Sequence, residues 1–153
     1  MESLLWPTLA ASASVVAAAA FWIVFGPTVH ARRRMRLLAH ATKSFYEERK
    51  RLEARFASRP LRAILPEAAI CSVDRFTPDV AFAWDKRSWK LRALVGARVR
   101  FARDGTESMG DDLQATAVFH LERGRWNTDG RLILNLDPEQ VLRHYIYELQ
   151  KAS

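Results

Sequence analysis

The spacing of hydrophobic positions changes several times along this chain, and each change predicts an element. Leu4 to Phe25 runs for twenty-two positions without a charged residue. At about 1.5 Å per residue a helix of that length rises roughly 33 Å, enough to cross a hydrocarbon core of about 30 Å. The stretch therefore predicts a single N-terminal transmembrane helix within residues 1–27, closed at Gly26-Pro27, where proline removes an amide proton and disfavours helix before it. From Ala31 to Ala57 the period is near 3.6. Leu38, Ala41, Phe45, Leu52 and Phe56 share one face, with Arg and Glu opposite. This predicts an amphipathic helix in a basic juxtamembrane segment, 28–59, ending near Arg59-Pro60.

Beyond residue 60 the period falls to 2. Val80 to Trp84 alternates, as does Leu94 to Phe101, with Val95, Ala97, Val99 and Phe101 against Gly96, Arg98 and Arg100. Ala115, Ala117, Phe119 and Leu121 alternate with Thr116, Val118, His120 and Glu122, and Arg131 to Leu136 makes a fourth run. Such alternation marks strands with one buried face. The turn signals between them are Asp85-Lys86-Arg87-Ser88, a polar stretch from Asp104 to Asp112, Arg123-Gly124, and Asn127 to Gly130. Short connections pair consecutive strands antiparallel. A closing helix begins at Asp137 as N-cap, with Pro138 first and Gln140 completing a capping box. Its stripe of Val141, Leu142, Tyr145, Ile146 and Leu149 is expected to lie on the sheet. The predicted class is α+β: a transmembrane anchor, an amphipathic helix, then a four-stranded antiparallel meander with the C-terminal helix packed on it, residues 60–153 forming one small soluble domain.

Charge sharpens the anchor. The net charge of +7 is uneven: His30 to Arg62 holds eleven Lys and Arg against Glu47, Glu48 and Glu53, and the remainder is nearly balanced. Arg32, Arg33, Arg34 and Arg36 directly follow the apolar stretch and set its topology, leaving the C-terminal domain on the matrix or cytoplasmic side of a mitochondrial inner or bacterial plasma membrane. Anionic lipid head groups suit that flank, each nearby cation contributing about 1 kcal/mol; an acidic partner protein is the alternative. Because the distal domain is nearly neutral, nucleic acid is not expected as a partner. Within the span, Ala10, Ser14, Ala17 and Ala20 share a face at small-xxx-small spacing, a helix-packing surface for integral membrane protein subunits.

Candidate chemistry is sparse. His30, His40, His120 and His144 include no i, i+4 pair, and no carboxylate completes a metal site. Asp111-Asp112 reads as a solvated pair in a loop, and the lone Cys71 as a small packed residue, which excludes an intramolecular disulfide and a cysteine zinc site. No spacing builds a phosphate-cradling loop or a nucleophilic triad, so no catalytic, cofactor-binding or metal residues, no cofactor and no small-molecule substrate are assigned, and the chain is not expected to be an enzyme. The better clue is Trp89 in Lys86-Arg87-Ser88-Trp89-Lys90. A Trp among cations at a turn is typical of an interface anchor on a protein partner; contact with a head-group layer and ordinary packing are the alternatives.

Two stretches, Gly96 to Gly105 (GARVRFARDG) and Leu113 to Leu134 (LQATAVFHLERGRWNTDGRLIL), follow a single span and an amphipathic helix. In that order they resemble the small membrane-anchored domain shared by a mitochondrial presequence-translocase accessory subunit and a cytochrome oxidase assembly factor. The resemblance covers about half the chain, and the closing helix and the Arg flank depart from it. It implies a non-catalytic partner of respiratory or translocase complexes and transfers no functional residue. The expectation from the sequence is thus an accessory or assembly subunit of a larger membrane-protein complex, such as a respiratory one, docking through its α+β domain. The alternative is a membrane-anchored module that binds lipid or another small ligand.

Overall fold

The computed structural model describes residues 32–59, 69–103 and 113–152. The chain divides into two compact units, Met1–Ala39 and His40–Ser153. A long helix, α1 (32–57), is followed by β1 (Ala69–Asp85), β2 (Leu91–Arg103), β3 (Leu113–Glu122), β4 (Arg125–Asn127), β5 (Leu132–Leu134), a short helix α2 (Pro138–His144) and β6 (Leu149–Lys151). The strands form one six-stranded antiparallel sheet in the order β4-β3-β2-β1-β6, with β5 also on β3.

The period of 2 explains which face meets which helix. Phe82, Ala93 and Phe119 stand in register across β1, β2 and β3 and share a face. Against it α1 places Phe45, Leu52 and Phe56, all fully buried. Phe45 meets Phe82, Phe119 and Trp126 edge-on at centroid separations of 5.6, 5.8 and 5.0 Å. The neighbouring residues Ala81, Ala83, Leu94 and Val118 point the other way and pack with Val141, Leu142 and Leu149. Helices therefore cover both faces of the sheet, and the side of β3 carrying Thr116 and Val118, which alternation alone assigns to solvent, is buried under α2.

The expected architecture needs correction in four places. Among the described residues no helix is long and apolar enough to cross a membrane: α1 has the length but carries Arg and Glu around its polar face, and α2 has only seven residues. The transmembrane helix placed on residues 4–25, with its packing positions Ala10, Ser14, Ala17 and Ala20, lies outside the described residues. The single-pass membrane localisation, the accessory-subunit role in a membrane complex and the membrane-anchored ligand module all rested on that anchor, and they are withdrawn with it. Second, the sheet has six strands among the described residues where four were expected, since β4 and β6 are too short for alternation to register.

Third, β1 is much longer than Val80 to Trp84. Its pairing with β2 shifts register between Val73 and Arg75 and again between Phe76 and Val80, around Pro78, which breaks the alternation that would have revealed it. Finally, the closing helix stops at His144. Its capping box is present as expected, with Asp137 accepting from the backbone N–H of Gln140 at 2.7 Å and the Gln140 side chain accepting from the N–H of Asp137 at 2.9 Å. Tyr145, Ile146 and Tyr147 are weak helix formers, and the chain then gains a ladder instead. The N–H of Lys86 donates to Glu148 O and that of Ala152 to Phe82 O, which aligns β6 with Ala83–Asp85.

β6 reaches only the last three residues of β1, so the outer side of the rest of β1 has no strand beside it among the described residues. Arg49 of α1 bonds to Glu53 and donates to the carbonyls of Thr77 and Pro78 in the irregular stretch. Opposite that stretch sits Gly96, where an added Cβ would stand well inside contact distance of Thr77 Oγ1, itself bonded to Asp79. Gly96→Ala is expected to lower stability by about 1–3 kcal/mol through overpacking. Adding Thr77→Ala is expected to restore most of it, a coupling readable from urea unfolding of the two single variants and the double variant.

Candidate functional site

A broad cleft lies between the C-terminal half of α1 and the β3–β4 hairpin. It is open to solvent, has a volume of about 910 Å³, and is lined by Glu48, Arg51 and Arg55 of α1 and by Glu122, Arg123, Arg125, Trp126 and Asn127. Its α1 wall follows from helical spacing, since residues 48, 51 and 55 lie three and four apart and share a face. The other wall follows from the two-residue turn Arg123-Gly124. Both residues adopt positive φ, 49° and 76°, the conformation that reverses a hairpin without splaying its strands. Arg123 thus sits in the bend itself and Arg125 at the start of β4.

Trp126 ties the walls together. Its indole is buried, and Nε1 donates to the carbonyl of Ala41 at 2.9 Å. The bond fixes the hairpin against α1, so the arginines converge on a rigid frame. Arg51 bonds to Glu48, and Glu122 accepts from Lys90 Nζ at 2.9 Å. The hydrogen bond and charge of Lys90 hold the Glu122 carboxyl below the usual range. Neither Arg55 nor Arg125 forms an ion pair with another described residue. Four guanidinium groups thus border a space whose two carboxylates are both engaged.

A second cleft, of about 340 Å³, involves Asp85, Ser88, Lys90, Arg92, Val118, His120, Asp129 and Arg131. Here Arg92 is bonded to Asp85 and Lys90 to Glu122. Asp85 also accepts from the N–H groups of Arg87 and Ser88 at 2.9 and 3.0 Å. Burial pushes the Asp85 carboxyl up, but the N–H groups of Ser88 and Arg87 together with Arg92 outweigh it and hold the group below its ordinary value. These charges are already matched within the fold, which makes Asp85 a staple of the β1–β2 turn.

Among residues singled out from sequence, Lys86, Arg87, Trp89 and Lys90 are all exposed on that turn. Arg32, Arg33, Arg34 and Arg36 are exposed on the first turns of α1. His120 is half-buried, in register with Arg92 and Asn127. His40 and His144 are exposed, whereas His30 and Asp111-Asp112 lie outside the described residues. Among the described residues no group of three or more His, Cys, Asp or Glu is placed to hold a metal ion. The cleft arginines were not found from sequence, because Arg51 and Arg125 meet only through the docking of α1 on the hairpin. The one available signal was the run Arg123-Gly124-Arg125-Trp126.

Comparison with known proteins finds no matching family model, no matching curated protein and no matching solved structure. What the fold and cleft define is an α+β domain with a basic, tryptophan-braced recess between a helix and a hairpin.

Proposed function

We propose that the domain is a non-catalytic binding module whose arginine-lined cleft receives an acidic polypeptide segment. The observation that carries this reading is the convergence of Arg51, Arg55, Arg123 and Arg125 from two elements on one cleft, with Arg55 and Arg125 lacking an ion-pair partner among the described residues. Like charges held together in a frame repel, and an anionic ligand relieves that repulsion. Guanidinium groups present paired donors that match carboxylates bidentately. Glu48 and Glu122 on the same walls would repel a continuous phosphate backbone, whereas a peptide can set its carboxylates between them.

The test is fluorescence anisotropy of the full chain with a labelled peptide of alternating Glu and Ala, beside the same peptide with Gln for Glu. Binding should require the carboxylates and weaken as salt rises. Arg55→Glu and Arg125→Glu should each lower affinity by about tenfold or more. Arg143→Glu, on α2 across the sheet, should leave it within about twofold, since a lone exposed charge changes little. Equal losses from all three reversals would reduce the effect to net charge and overturn the reading, as would binding of the Gln peptide with the same affinity.

A further inference from the structure

Trp89 occupies a conformation that costs stability. Its φ is 55°, in the left-handed region that a bulky side chain rarely adopts. The residue is also 53% exposed, so burial returns only part of that cost. Its N–H donates to Asp85 O at 2.7 Å, and the Asp85 carboxylate accepts from the N–H groups of Arg87 and Ser88, so the turn fixes the Trp89 backbone. A strained residue over-determined by its surroundings and presented to solvent points to function.

The neighbouring turn completes the surface. Residues 145–148 link α2 to β6, and Lys86 joins the two turns, its N–H donating to Glu148 O and its Nζ to Ile146 O, both bonds 2.8 Å or shorter. Ile146 is 58% exposed and Tyr147 89%, the most exposed large hydrophobic side chain among the described residues. Two turns at one end of the sheet thus present Trp, Ile and Tyr beside Lys86 and Arg87, with Lys90 paired to Glu122 and Glu148 as the acid of the second turn. The other acid of the first turn, Asp85, is turned inward to Arg92.

We propose that this pair of turns is a docking tip for an anionic lipid surface. The inference does not rest on the cleft arginines, although Lys90 reaches Glu122 on the cleft wall, and it needs no spanning helix. Trp and Tyr rings favour the head-group level because each has an apolar body and a polar edge. Cations beside them meet anionic head groups, and an isoleucine adds apolar area to the inserted edge. The residues sit on two adjacent turns at one end of the sheet.

The experiment measures quenching of tryptophan fluorescence in the full chain carrying Trp6→Phe and Trp22→Phe, by brominated phosphatidylcholine in vesicles of phosphatidylcholine with and without phosphatidylserine. Trp89→Phe should remove most of the phosphatidylserine-dependent quenching, and Arg87→Glu should weaken the apparent vesicle affinity by about fivefold. Trp89→Gly should lose the quenching while its thermal midpoint stays at or above that of the parent, because glycine suits the left-handed position. Undiminished quenching in Trp89→Phe overturns the proposal, and so does equal quenching on vesicles lacking phosphatidylserine. A lower midpoint for Trp89→Gly would mean that the indole is kept for packing. Absence of lipid quenching together with crosslinking of Tyr147 to another protein would replace the lipid surface with a protein partner.

Discussion

Phe45→Ala is expected to lower the unfolding free energy by about 3–5 kcal/mol, the range for removing a buried aromatic ring. Phe45 has no exposed surface and touches Tyr46, Phe82, Phe119 and Trp126, so its loss opens a hole where α1 meets three strands. The surrounding rings come from separate elements and the indole of Trp126 is tied to Ala41, which limits collapse into the space. Phe45→Leu should cost less, since it restores part of the volume. Urea unfolding followed by tryptophan fluorescence and by circular dichroism checks both. A cost near 1 kcal/mol for Phe45→Ala would show that the helix is held to the sheet mainly by other contacts.

Asp85 provides the second large effect. Asp85→Ala removes the acceptor for two backbone N–H groups and leaves Arg92 without its carboxylate. The expected loss is about 2–3 kcal/mol, below the full cost of breaking a buried pair because the Arg92 side chain keeps about a quarter of its exposure. Asp85→Asn retains an oxygen for the N–H groups and loses only the charge, so it should cost about 1 kcal/mol near neutral pH.

The two substitutions also differ from the parent in acid. The folded-state value of Asp85 is depressed below the ordinary 3.8, so its ionised form stabilises the fold in full above that pH. As pH falls through the depressed value, the folded carboxylate is protonated and that contribution is lost. The gap between parent and Asp85→Asn should therefore narrow in acid, measured by denaturant titration at a series of pH values. A gap that stays constant below pH 3.8 would assign the stabilisation to hydrogen bonds alone.

Much of this organisation was legible in the residues. The α+β class, the antiparallel pairing, the helix over Phe45, Leu52 and Phe56, and the capping box at Asp137 follow from period and local chemistry, which act over a few residues. What escaped depends on partners far apart in the chain. Leu149 fits a helical stripe as well as it fits a strand, and only the free end of β1 decides for the strand. For the same reason Ile146 was assigned to the buried stripe and not to the surface beside Trp89. Pro78 and two register shifts hid the first half of β1 from any alternation. The arginine cleft was least legible, since its walls come from Arg51 and Arg55 on one side and Arg123 and Arg125 on the other, joined by a single indole bond.

The outer side of β1 has a consequence for how these molecules coexist. An uninterrupted seventeen-residue edge would be a template for a strand of a second chain, and hence for aggregation. Here Pro78 cannot donate to such a ladder, the bulged stretch twists out of register, Arg49 already occupies two of its carbonyls, and Asp74, Arg75 and Asp79 place charges along it. An incoming strand would find only a few consecutive positions to bond before meeting an obstacle. The irregularity that blurred β1 in the sequence thus protects the fold against edge-to-edge polymerisation.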